Sequence, residues 1–286
     1  KISSMVPSAE LVRYSNSGTE AVMAALRVAR AYSKRDEYIM IEGGYHGVSD
    51  SVLWDVDIDD WDPQSGPPEK ISSSHGVPDK IGDMVTLVPL NDANKLEDVL
   101  KKKHGDIGAL LIEPILGNCC SISATQEYMQ AVRSLCDQYD VVLIIDEVKT
   151  GFRVAKGGAQ EVFGIEADLC TFAKSIANGY PISAICGKEE LMRSIKYGGV
   201  LHGGTFTAHS VAISAANKTL EILQNTDALE TVNQYGIDLR EGISNILTKN
   251  NVPHCFTGHP SMSGLFLSES APTNARDFKS SDYPFY

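Results

Sequence analysis

Lys174 stands alone in its surroundings. It is the only charged side chain from Leu169 to Gly187, and residues 170–181 read CTFAKSIANGYP. A lysine placed like this either snorkels to solvent along apolar neighbours or keeps its amine in a dry setting for chemistry such as imine formation with a carbonyl. About 28 residues earlier, Asp146 closes the apolar run VVLIID at 141–146. Open parallel sheets bind ligands beyond the carboxyl ends of their strands, so a carboxylate there suits magnesium, the protonated nitrogen of a pyridine-type ring, or a simple loop cap. The magnesium reading requires a G-x-x-x-x-G-K-[ST] loop. The nearby stretch DLCTFAKS at 168–175 lacks both glycines, which excludes it.

Other groups invite chemistry in the same way, each with a plain structural alternative. In SNSGTEA (15–21) a serine, Ser17, precedes a glutamate, Glu20, by three residues, the pattern of a helix capping box. Ser17, Gly18 and Thr19 would then be either an ordinary N-cap or a cradle for phosphate at a helix N-terminus. Tyr45 and His46 follow an apolar strand-like run. The ring of Tyr45 could stack on a planar ligand or merely pack, and His46 has the chemistry of a general base. The segment GGVLHGGTFTAHS (198–210) offers four glycines and several hydroxyls. That composition fits a second anion contact, a subunit boundary, or a flexible loop.

The elements that must position these groups alternate between strand and helix, the sign of a parallel sheet with crossover helices. Strands are predicted at 11–15, 38–42, 85–90, 107–113, 141–146, 169–173 and 182–187. Helices are predicted at 19–34, 93–103, 125–139, 208–224 and 227–248. In the first helix Val22, Leu26, Ala29 and Ser33 share one face at helical spacing. VVLIID reads as a strand covered on both faces. Residues 55–83, rich in Asp, Pro, Gly and Ser, read as a long surface excursion. The polar tail from 257 onward shows no final helix.

Composition bounds the possibilities. The 286 residues are 43% hydrophobic and 22% charged, ordinary for a globular chain. A net charge of −12 disfavours wrapping around nucleic acid, so no nucleic-acid partner is expected, although a local anion site remains open. The six cysteines form no C-x-x-C pair, so zinc spacing is absent and no metal is expected. Thiols inside apolar runs point to a cytoplasm-like reducing compartment. No apolar run has the length of a membrane span. The chain opens on Lys1 rather than Met, so any targeting segment would lie outside these residues.

Taken in order, the chain carries N-S-G-T-E-A (16–21), Y-H-G (45–47), L-I-E-P (111–114), D-E-V-x-T-G-F-R (146–153), Lys174 and G-G-T-F-T (203–207). Across essentially its whole length it resembles the class III, fold-type I aminotransferases that use pyridoxal 5′-phosphate. Within that family EPILGN, HGVPDKIGD and DEVKTGFRVAKGGAQEVFGIEADL are similar to the glutamate-1-semialdehyde aminomutase branch. FAKSIANGYPIS looks more like related transaminases, and YHGVSD departs from the usual aminomutase wording. Lys149 departs from both, standing where transaminases often have Gln and the aminomutase branch tends to have Met.

The resemblance implies an α/β fold whose large domain (1–224) has a mostly parallel sheet flanked by helices. Residues 225–286 would open an incomplete small domain, with further segments before Lys1 and after Tyr286. It implies that Lys174 is the Schiff-base lysine and proton shuttle, and that Asp146 pairs with the pyridinium nitrogen. Ser17, Gly18 and Thr19 would hold the phosphate, with Tyr45 and Val148 on the two ring faces. Asn118 would reach the ring hydroxyl, and His46 and Glu113 belong to the same cofactor-binding set. Thr205 would contact the phosphate of a partner subunit, making a homodimer with shared active sites. The implied reaction is ping-pong transfer between a small-molecule amino donor and a keto or aldehyde acceptor. Two rivals are an intramolecular glutamate-1-semialdehyde 2,1-aminomutase and a catalytically silent homologue serving as an interaction domain.

Overall fold

The computed structural model describes residues 1–58 and 61–280. Two residues of the surface excursion, Asp59 and Asp60, and the end of the tail, 281–286, lie outside the described residues.

A seven-stranded sheet organises the fold. Its strands are β1 (Leu11–Ser15), β2 (Glu37–Ile41), β3 (Val85–Val88), β4 (Ile107–Ile112), β5 (Val142–Asp146), β6 (Leu169–Phe172) and β7 (Ser183–Gly187). They lie side by side in the order β1-β7-β6-β5-β4-β2-β3. β7 pairs antiparallel with both neighbours, and every other pairing is parallel. The mostly parallel sheet expected from the alternating pattern is therefore present.

β5 explains why its sequence is a continuous apolar run. Leu143 and Ile145 enter the core on one face of the sheet, and Val142 and Ile144 the core on the other. Each fully buried side chain of this kind contributes about 1.5–3 kcal/mol. A strand buried on both faces has little tolerance for polar residues, so Asp146 at its end stands out chemically.

The helix α1 (Gly18–Ser33) starts with the expected capping box. Ser17 Oγ accepts the Glu20 amide at 3.3 Å, and Glu20 Oε2 accepts the Ser17 amide at 2.8 Å. Val22, Leu26 and Ala29 are buried against the sheet, while Ser33 is only half-buried. α2 (Ala93–Lys103) and α3 (Gln126–Tyr139) cover the other side, and α4 (Ser210–Asn225) and α5 (Ala228–Lys249) follow.

The excursion lies largely at the surface, as expected, and one expectation, that for the tail, needs correcting. The excursion holds a short antiparallel pair, Trp54–Val56 with Lys70–Ser72, and a helical turn at Asp79–Gly82. The tail is not without structure: β8 (Cys255–His259) and β9 (Met262–Phe266) form a hairpin, and α6 (Ala275–Ser280) follows. α6 is held by a distant partner. Arg276 donates Nε and Nη2 to the two carboxylate oxygens of Glu42, each at 2.7 Å, and Glu42 is buried at the end of β2. An ion pair spanning so much of the chain leaves no local periodicity to read.

Candidate active site

A cavity of about 350 Å³ opens at the carboxyl ends of the central strands. Its walls include Ser17, Gly18, Thr19, Tyr45, His46, Glu113, Asp146, Val148, Lys149 and Lys174. Nine of the eleven residues singled out from sequence thus meet in one place. Asn118 does not line the cavity but accepts a hydrogen bond from Lys149 Nζ, which does. Thr205 is exposed and lines no part of the cavity.

Asp146 is the best anchored of these groups. Its Oδ2 accepts from His46 Nδ1 at 2.8 Å, and its Oδ1 accepts from Thr171 Oγ1 and the Val148 amide, both at 3.0 Å. Since a carboxylate only accepts, His46 donates through Nδ1. Its Nε2 is then a buried atom with no partner among the described residues. A carboxylate offers about four acceptor positions, so Asp146 keeps one for a ligand N–H. Thr171 was not found from sequence. The available signal was a lone hydroxyl in the apolar run LCTF, and parallel register sets it beside Asp146.

Glu113 is buried with Asp146, and its oxygens are committed to backbone: Oε1 to the Tyr45 amide at 2.9 Å, Oε2 to the Gly117 amide at 3.4 Å. It thereby ties together the two loops that carry Tyr45 and Asn118. Burial pushes its carboxyl upward, offset by the His46 ring and added to by the nearby Asp146 charge.

Lys174 begins a single 3-10 turn directly after β6, with φ of 39°. Left-handed backbone at a non-glycine residue costs about 1–3 kcal/mol and concentrates at functional sites. The apolar segment suggested a dry, buried lysine, but the side chain is exposed to the open cavity. Its sequence neighbours Phe172, Ala173 and Ile176 are themselves buried. Partial burial lowers its basicity, the like charge of Lys149 lowers it further, and Asp146 and Glu113 pull the other way; the net direction is down.

At the start of α1 the Glu20 carboxylate takes the amides of Asn16 at 2.7 Å and Ser17 at 2.8 Å. The burial of Glu20 raises its carboxyl, but those hydrogen bonds outweigh it and hold it below the ordinary value. The amides of Gly18 and Thr19 have no i−4 partners in the helix and are suited to an anion. Gly47 lets the loop after Tyr45 lie directly against Thr19. Its φ is +101°, and a Cβ there would overlap Thr19 Oγ1 and lie 2.8 Å from Thr19 Cα.

A phosphate-bearing pyridine aldehyde fits this donor set. The helix amides suit the phosphate, the spare acceptor of Asp146 suits a ring N–H, the Tyr45 ring can face a planar group, and Lys174 offers an amine for a carbonyl.

A largely parallel seven-stranded sheet flanked by helices is the plan of fold-type I pyridoxal-phosphate transferases. The family model for class III aminotransferases matches residues 1–280, and the chain belongs to that family. The glutamate-1-semialdehyde 2,1-aminomutase of Methanothrix thermoacetophila is 39% identical over 268 residues, covering 93% of this chain and 60% of that protein. An omega-transaminase from Sphaerobacter thermophilus superposes with a TM-score of 0.89 at 31% identity, over 97% of this chain and 63% of that one. A transaminase with PLP bound superposes with a TM-score of 0.81, also at 31% identity, over 91% of this chain and 60% of that one. The chain spans about three fifths of the length of such relatives. Among the described residues no helix is long and apolar enough to cross a membrane.

Proposed function

We propose that this chain is the pyridoxal-phosphate-binding part of an enzyme that moves an amino group from an amino donor to a keto or aldehyde acceptor in two half-reactions. One observation carries the reading: Lys174, the triply bonded Asp146, the α1 N-terminus and Tyr45 share a single cavity. When bound, pyridoxal phosphate supplies a carbonyl for condensation with amines and an electron-withdrawing ring.

The chain's own residues do the rest. Lys174 Nζ, with its lowered basicity, is available as a neutral amine to take a proton from the substrate carbon and return it. Asp146 holds a proton on the ring nitrogen, and His46 and Thr171 keep its carboxylate oriented. Ser17, Gly18 and Thr19 bind the phosphate. Tyr45 and Val148 would confine the ring, and Asn118, which lies behind Lys149 rather than in the cavity wall, would serve the ring hydroxyl from its edge. Glu113 fixes the loop that bears Tyr45.

The exposed position of Thr205 supports its service to a second copy. The same segment exposes Leu201 and Phe206 at 82% and 68%, with Tyr197 fully open, a concentration of apolar surface that soluble monomers seldom leave bare. A homodimer with shared sites follows from this reading. Residues 225–286 are read as the opening of the small domain, and the buried thiols Cys136, Cys170 and Cys186 favour the cytoplasm.

A second reading, intramolecular transfer, is favoured by the curated relatives, which are named glutamate-1-semialdehyde 2,1-aminomutase. The PLP-loaded protein is to be incubated with glutamate-1-semialdehyde and no other amino compound. Transamination predicts no sustained turnover until a donor is added. Sustained turnover without one assigns the aminomutase reaction instead.

A further inference from the structure

Two ammonium groups reach the cavity, and only Lys174 has a part in the reading above. Lys149 is as firmly built into the wall. Its stem crosses the bare Cα of Gly117, where a Cβ would overlap Lys149 Cδ and Nζ. Its Nζ donates to Asn118 Oδ1 and lies 5.9 Å from the centroid of the Tyr45 ring. A glycine slot, an acceptor and an aromatic face therefore fix one long side chain. An ammonium has three N–H donors, so two are left after Asn118.

The question is what those two donors serve. The reading above assigns the cofactor's polar groups to the α1 amides, Asp146 and Asn118, the last of which sits behind Lys149. What lacks a partner is a charge on the substrate. The acids of the lining, Glu113 and Asp146, are committed to internal donors. Once the Lys174 amine is engaged with a carbonyl, Lys149 is the cation left in the lining among the described residues. It is half-buried beside the exposed Asn118 and Tyr45.

We propose that Lys149 is a specificity residue that receives the carboxylate of an amino-acid or keto-acid substrate, so that the site prefers acids to amines of the same carbon skeleton. The inference rests on the aminotransferase reading of the same site. An ammonium–carboxylate hydrogen bond of this kind is worth roughly 10- to 100-fold in affinity at a partly open rim.

Lys149→Met keeps an apolar stem in the Gly117 slot and removes the charge. Wild-type and variant PLP-loaded proteins are compared with an amino acid and with the amine left by removing its carboxyl group. The acid-to-amine ratio of kcat/KM is expected to fall about 10- to 100-fold, mainly through KM. Butyrate, which cannot react, gives a readout independent of turnover. Its dissociation constant, followed through the visible absorbance of the bound cofactor, is expected to rise by a similar factor. An unchanged ratio and unchanged butyrate binding, in a variant that binds PLP normally, overturn the proposal. Weakened PLP binding with an unchanged ratio overturns it too, because Lys149 then serves the cofactor. If wild-type protein itself fails to bind PLP in equilibrium dialysis, it is the underlying aminotransferase reading that falls.

Discussion

Gly47→Ala tests whether the start of α1 binds the anion. The native φ of +101° is open to glycine and strained for alanine, at about 1–3 kcal/mol. The added Cβ would also sit 2.8 Å from Thr19 Cα, where carbon–carbon contact prefers at least about 3.5 Å. Thr19 must therefore retreat by roughly 0.7 Å, beyond the ~0.5 Å within which binding groups keep their geometry. The displacement also strains the 3.3 Å hydrogen bond from the Val48 amide to Thr19 Oγ1. Loss of one charge-assisted N–H contact costs about 1.5–3 kcal/mol, or about 10- to 150-fold in dissociation constant. Equilibrium dialysis of PLP measures this, and urea unfolding of the PLP-free protein measures the strain separately. PLP affinity within threefold of wild type, in a variant that is folded but destabilised, refutes the phosphate-cradle reasoning.

Two further outcomes are expected. Burial raises the Glu113 carboxyl above the ordinary 4.5, so between 4.5 and that raised value the folded state holds more protons than the unfolded one. Wild-type stability should therefore fall as pH rises through that window, and Glu113→Gln should flatten the slope in urea unfolding series. An identical slope in both proteins counts against a raised carboxyl. Arg276→Ala strands the buried Glu42 carboxylate and should cost about 3 kcal/mol, with part of the loss recovered in the Glu42→Gln, Arg276→Ala double variant. Equal losses in the single and double variants contradict the ion-pair account of how α6 is held.

Local sequence made much of the sheet legible, because strands buried on both faces must be continuously apolar. The run 141–146 left Asp146 conspicuous for that reason. The capping box at Ser17 and Glu20 was equally local. The hairpin Cys255–Phe266 was missed because its strands are mostly half-buried, and CFTGH and MSGLF mix polar and small residues where alternation would be read. α6 was missed although its start has local caps, Asn274 Oδ1 accepting the Arg276 and Asp277 amides and Asp277 Oδ2 the Thr273 amide; the Arg276–Glu42 pair that ties it to β2 joins residues far apart in the chain. Within the site, the residue types of Lys174, Asp146 and Tyr45 announced chemistry. Thr171 and the Gly117 slot acquire meaning only from sheet register and loop packing, which no short motif encodes. Lys174 is exposed although its sequence neighbours Phe172, Ala173 and Ile176 are buried, a difference that local composition does not reveal.

The central claim is that Lys174 is the residue that joins pyridoxal phosphate covalently. The protein containing this chain is incubated with PLP, reduced with borohydride, digested, and the labelled peptide located by mass spectrometry. The expected result is one label, on Lys174, lost in Lys174→Ala and retained in Lys149→Met. A label on Lys149, or none on either lysine when PLP is in excess, would contradict it.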